Sequence, residues 1–199
     1  AGSLRWTFPA YDSQLFLVGR NIKHDARPRR FRNEASRVLS SGWSLRGKVR
    51  HMVGEKDFEI RPCDDVALPV ELGDWRPVLG KEFSGQAVYR IEFDSEGKQR
   101  VRLDLGRVCW VCGVSLNGSD VGKRFFGPYA FDVELRQGRN ILEVTVANTL
   151  ANVLSDDAVR DRIARDFPPK SVYDDRLRLF DREDNESGLF GPVRLIPEE

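Results

Sequence analysis

The stretch LDLGRVCWVCGVSLNGSDVG, residues 103–122, decides how this chain is read. Its first residues, Leu103-Asp104-Leu105, close an alternating run that begins at Val101, and Gly113-Val114-Ser115-Leu116 runs into Asn117-Gly118. Alternation with period two places one set of side chains on a buried face. Asn-Gly is the dipeptide that most readily takes the two positive φ angles of a two-residue hairpin turn. The stretch therefore predicts a strand, a corner and a hairpin. Cys109 and Cys112, separated by two residues, raise the question of metal or redox chemistry.

Outward from this stretch the pattern repeats. Val88–Phe93 alternates, breaks at Asp94-Ser95-Glu96-Gly97-Lys98 and resumes at Val101. Ala130–Leu135 is a further run, interrupted by Arg136-Gln137-Gly138-Arg139 and followed by Asn140–Val146. Strands at about 10-residue spacing with turn residues between them indicate a sandwich or barrel rather than βαβ units. Residues 155–183 break the rhythm: Ser155 is the expected N-cap of a helix over 156–165, acidic at its start and basic toward its end, and a second helix is expected over 172–182. Ser187–Pro192 reads as a turn and Val193–Ile196 as a closing strand. In the first 70 residues, 4–8, 15–18 and 44–53 read as strands, and the basic segment 23–32 as an exposed loop.

The chain has 199 residues, with 32 Lys and Arg against 31 Asp and Glu, a formal net charge of +1. No overall field recruits nucleic acid or an anionic membrane, so neither is expected as a partner. No apolar run approaches the roughly 18 residues of a membrane span. The chain starts Ala-Gly-Ser and its single methionine is Met52, which reads as a piece of a longer or processed polypeptide.

In order, the chain carries Gly73-Asp74-Trp75, then Phe83-Ser84-Gly85 leading to Tyr89–Phe93, then Leu103-Asp104-Leu105-Gly106. Val114–Gly118 follows with Val121-Gly122, then Pro128-Tyr129 with Phe131-Asp132-Val133, Gly138-Arg139-Asn140 with Leu142–Val144 and Val146–Asn148, and lastly Ser187–Val193. This series resembles the sugar-binding domain of glycoside hydrolase family 2 and its relatives, which have a galactose-binding-like jelly-roll fold. The closing turn is also similar to accessory domains of bacterial α-L-rhamnosidase-like enzymes. The resemblance implies an all-β jelly-roll sandwich over residues 1–199, with a short helical insert before the last strand. It implies a non-catalytic domain that binds or positions carbohydrate, whose partners are carbohydrate and the catalytic domain of the same polypeptide. The insert then reaches toward that domain or simply decorates the surface. Two alternatives stay open: a docking module that touches no sugar, and a self-contained glycosidase. The setting implied is bacterial and extracellular or periplasmic, while unpaired cysteines leave a cytoplasmic one open. No cofactor is expected beyond the structural calcium that many galactose-binding-like domains hold at a sheet edge, for which the sequence marks no position.

Candidate chemistry narrows quickly. Structural zinc needs four ligands, and three cysteines with His24 and His51 offer no second pair at ligand spacing. A redox Cys-x-x-Cys opens a helix, whereas this one lies between strand signals. On a continuous strand its sulfurs would face opposite ways, with Cys112 the one expected to be buried. Glycoside hydrolysis uses two carboxylates about 5 to 10 Å apart, and the acidic run Asp181, Glu183, Asp184 and Glu186 reads as a solvated segment. For sugar contact, Trp110 is the foremost candidate, because the family pattern has a polar turn there and an indole is expected to be exposed; the competing reading packs it on the core edge or a neighbouring domain. Tyr129, which matches a family strand start, is a further candidate for sugar contact with a structural reading beside it, and Trp75 reads as packed. Asn148, Asn152, Asp156 and Asp157 occupy the loop from which some family members donate polar groups to the substrate pocket.

Overall fold

The computed structural model describes residues 29–54, 58–166 and 185–199. The strands expected at 4–8 and 15–18, most of the basic segment, the helix at 172–182 and the acids Asp181, Glu183 and Asp184 lie outside them.

Thirteen strands are described. They are β1 (Arg37–Val38), β2 (Trp43–Val53), β3 (Phe58–Pro62), β4 (Leu68–Val70), β5 (Gly85–Ser95), β6 (Gln99–Asp104) and β7 (Arg107–Cys109). Then come β8 (Val111–Leu116), β9 (Ser119–Arg124), β10 (Ala130–Leu135), β11 (Gly138–Ala147), β12 (Gly188–Gly191) and β13 (Arg194–Pro197). One sheet runs β3-β2-β5-β11-β8-β9, with β4 also on β2; the other runs β1-β13-β6-β10. All the pairings between these strands are antiparallel. The alternation explains both sheets: β8 and β10 bury every second residue, Cys112, Val114 and Leu116 on one and Phe131, Val133 and Leu135 on the other. A single core joins them, with Leu45, Tyr89, Leu142 and Val144 from the larger sheet and Val101, Leu103, Phe131 and Leu195 from the smaller. Each such side chain removed from water is worth about 1.5 to 3 kcal/mol. This is the all-β jelly-roll sandwich that the resemblance implies.

Asn117 and Gly118, at φ +54° and +81°, turn β8 into β9 as a two-residue hairpin. Trp75 is buried and meets Phe83 edge-on at 5.6 Å. Two expectations need correction. The segment 187–192 is not simply a turn: Gly188–Gly191 forms β12 and pairs with β7, so the corner carries a small sheet of its own. The cause is hydrophobic, since facing Leu189 and Val108 are both buried. The helix expected over 156–165 forms as α3 (Asp157–Asp166); a short α2 (Ala151–Leu154) precedes the insert, and α1 (Arg76–Leu79) lies earlier in the chain. Asp156, not Ser155, caps α3: its Oδ1 accepts from the Val159 amide at 3.1 Å, while the Ser155 hydroxyl donates to the Asn152 carbonyl at 2.7 Å and closes α2.

Candidate functional site

The register brings three strand ends together. Ala147 at the end of β11 lies between Gln86 near the start of β5 and Val111 at the start of β8. The loops leaving this edge carry the sequence candidates.

Trp110 links β7 to β8. Its amide donates to the Ala147 carbonyl at 3.1 Å, and its carbonyl accepts from the Tyr129 hydroxyl at 2.5 Å. The backbone is thus pinned on both sides while the residue keeps 50% exposure. Burial pushes the Tyr129 phenol above its ordinary value. Phe125 and Phe126, which follow β9, and Leu150, which follows β11, are also exposed at this edge.

Asn148 and Asn152 hold the neighbouring loops. The Asn148 Oδ1 accepts from the Gly85 amide at 2.8 Å, and its Nδ2 donates to the Phe83 carbonyl at 2.8 Å and to Ser187 Oγ at 3.0 Å. Asn152 is buried and its Nδ2 donates to the carbonyls of Lys81 and Asn185, both at 3.2 Å, while its Oδ1 accepts from Ser187 Oγ at 3.4 Å. Both amides knit three segments distant in sequence through Ser187. Asp156 is occupied as the α3 cap, and Asp157 is open to solvent with Arg160 at 3.5 Å. The structure therefore joins Trp110 to Tyr129, joins Asn148 to Asn152, and sets both aspartates at the start of α3.

The cysteines are free thiols. The continuous strand on which their sulfurs would diverge does not exist, because β7 pairs with β12 and β8 with β11, the chain changing sheets at Trp110. Both Cys109 and Cys112 are consequently buried. Burial pushes the Cys109 thiol up and the Cys112 thiol up to about 11, which disfavours their thiolate forms. Among the described residues no three His, Cys, Asp or Glu side chains gather as metal ligands, and no described helix is long and apolar enough to cross a membrane. Glu186, the described member of the acidic run, is ion-paired with Arg107.

One feature of this end was not among the sequence candidates. A groove of about 660 Å³ on the outer face of the four-stranded sheet is lined by Asn33, Arg102, Asp104, Arg124, Phe126 and Asp132, among others. Its signal in the sequence was the adjacent pair Phe125-Phe126 in a loop that ends in Gly127-Pro128.

No protein-family model matches the chain. A protein of Formosa agariphila named "Putative beta-glucuronidase" is 33% identical over 201 residues, which cover 83% of this chain and 17% of that protein. The solved rhamnosidase from Novosphingobium sp. PP1Y is 29% identical with a TM-score of 0.56, over 89% of this chain and 16% of its own. The Bifidobacterium dentium beta-glucuronidase complexed with coumarin-3-O-glucuronide shares the fold, at a TM-score of 0.51 and 19% identity over 84% of this chain and 31% of its own. The chain thus spans less than one third of the length of each. Topology and these likenesses agree: the chain is an all-β jelly-roll sandwich similar to one part of larger glycosidases, as a sugar-binding domain of the glycoside hydrolase family 2 type would be.

Proposed function

We propose that the chain is a non-catalytic domain of a multidomain glycoside hydrolase that binds or positions carbohydrate, with Trp110 as its aromatic contact. The observation that supports this is the combination of 50% exposure with a backbone fixed at both the amide and the carbonyl. An indole presented this way offers a flat face to the apolar side of a sugar ring at low conformational cost. On this reading Tyr129 fixes the Trp110 backbone, Asn148 and Asn152 hold the neighbouring loops, Asp156 caps α3, and the solvent-open Asp157 supplies a polar contact.

The chemistry of bond cleavage belongs, on this reading, to another domain of the same polypeptide. Asp104 and Asp132 do line one groove. Asp132, however, is ion-paired with both Arg102 and Arg29, and Asp104 Oδ1 accepts from the Gly106 amide at 3.0 Å. Both carboxylates are thus held by neighbouring groups, which fits a positioning role on this reading. The exposure of Phe125 and Leu150 at the same edge favours, as a second reading, a face that packs on the catalytic domain.

Affinity electrophoresis against soluble glycans, with W110A beside the unaltered chain, tests the proposal. Retardation by at least one glycan, weakened about tenfold in W110A, is the expected result. Full retention of affinity in W110A overturns the role of Trp110. Turnover of aryl glycosides by the chain overturns its non-catalytic character.

A further inference from the structure

Resting on the carbohydrate-binding reading above, we infer that the groove on the outer face of the four-stranded sheet is the seat of an uncharged oligosaccharide, with Phe126 as its stacking wall.

The groove is a product of strand alternation. Val101 and Leu103 of β6 and Phe131 and Val133 of β10 point inward and are buried, so Arg102, Asp104 and Asp132 point outward. The register sets Asp132 opposite Arg102 and Ala130 opposite Asp104. The small side chain of Ala130 leaves the floor open beside the Asp104 carboxylate. The loop from Phe126 to Pro128 forms the wall, and Asn33 and Ile196 line the groove as well. Its volume lies within the range of small-molecule sites.

The polar groups are held before any ligand arrives. Arg102 donates from Nε to Asp132 at 2.9 Å, and its guanidinium lies 4.0 Å from the Phe31 ring centre. The Arg124 guanidinium lies 4.7 Å from the ring centre of Phe131. Asp104 is steadied by the Gly106 amide. Groups fixed in this way need little reorganisation to bind. Sugar hydroxyls both donate and accept, and the groove supplies both partners, carboxylates as acceptors and guanidiniums as donors. Phe126, at 54% exposure, supplies the face on which the C–H side of a ring can lie.

The charge content selects the class of glycan. Two guanidiniums, Arg102 and Arg124, stand against two carboxylates, Asp104 and Asp132. A uronate- or sulfate-bearing chain would meet repulsion and attraction together, whereas a neutral chain loses nothing. The same end of the sandwich carries Trp110, tied through Tyr129 to the strand that opens with Ala130, so one glycan can use the groove and the indole in succession.

The test is calorimetry and affinity electrophoresis of the chain with galactomannan, mixed-linkage β-glucan and polygalacturonate, repeated with F126A, D104N and W110A. Asn at 104 keeps an oxygen for the Gly106 amide, and Phe126 lies outside the core, so both variants should melt within a few degrees of the parent. At least one neutral glycan is expected to bind, more tightly than polygalacturonate, with F126A and D104N each weakening it about tenfold. If F126A and D104N bind as the parent does while W110A loses affinity, the groove is wrong and the proposed function stands. Preference for polygalacturonate overturns the neutral class. If none of the three glycans is retained, the groove and the carbohydrate-binding reading fall together.

Discussion

Gly106 stands where β6 passes into β7, at φ +64°, and a Cβ built there would lie 2.3 Å from the Gly191 carbonyl oxygen. Both the backbone angle and the contact require glycine. Gly42, also at positive φ, has open space around it. Gly106→Ala is therefore expected to destabilise the protein by about 3 kcal/mol or more, and Gly42→Ala by about 1 kcal/mol, read as shifts in urea midpoint. A result in which the two substitutions cost the same would show that the β7–β12 corner does not pack as described. Residue identity alone made Gly106 visible within a Leu-Asp-Leu-Gly motif, but not its neighbour across the corner, which lies 85 positions away in sequence. The cysteines teach the converse. Their spacing suggested chemistry, and only the change of sheet at Trp110 explains why both thiols are buried and raised in pKa.

Among the elements, β11 is the central one. It pairs with β5 along its whole length and with β8 over six residues, so its inward side chains meet the core from the middle of the larger sheet. Leu142 is wholly buried there, and Leu142→Ala should lower stability by about 2 to 5 kcal/mol in chemical denaturation, unless the cavity collapses. The strands that alternation predicts, β5, β6, β8, β10, β11 and β13, all form close to their expected positions. The elements that escaped notice are short: β7 and β12 hold three and four residues, α1 and α2 four each. Nothing so short displays a period. Such pieces form because a distant partner satisfies them, as Ser187 does when Asn148 and Asn152 draw the 185–187 segment against the loop before β5.

For the molecule as a whole, burial sets a pH dependence. The Cys112 thiol is pushed from 9 to about 11 and the Tyr89 phenol from 10 to about 12, both chiefly because the interior disfavours their charged forms. The folded protein therefore holds these protons more tightly than the unfolded chain does. Their contribution is fully present below pH 9 and is lost as the pH climbs from 9 to 12, at about 1.4 kcal/mol per unit for each group over its own range. Urea midpoints at pH 7.5, 9, 10 and 11 should be steady to pH 9 and then fall. Cys112→Ala should remove part of the fall between pH 9 and 10, and an unchanged slope in that variant would assign the effect elsewhere. The Asn117-Gly118 hairpin, the alternating strands from β5 onward and the helix α3 were determined by the sequence itself, because a period of two, an Asn-Gly pair and a helix charge gradient act over a few neighbouring residues. The exposure of Trp110 and the groove of Arg102, Asp104, Arg124, Phe126 and Asp132 were decided only by the tertiary structure. Those features depend on which strands lie side by side and on which loops meet at one end, and long-range packing settles both.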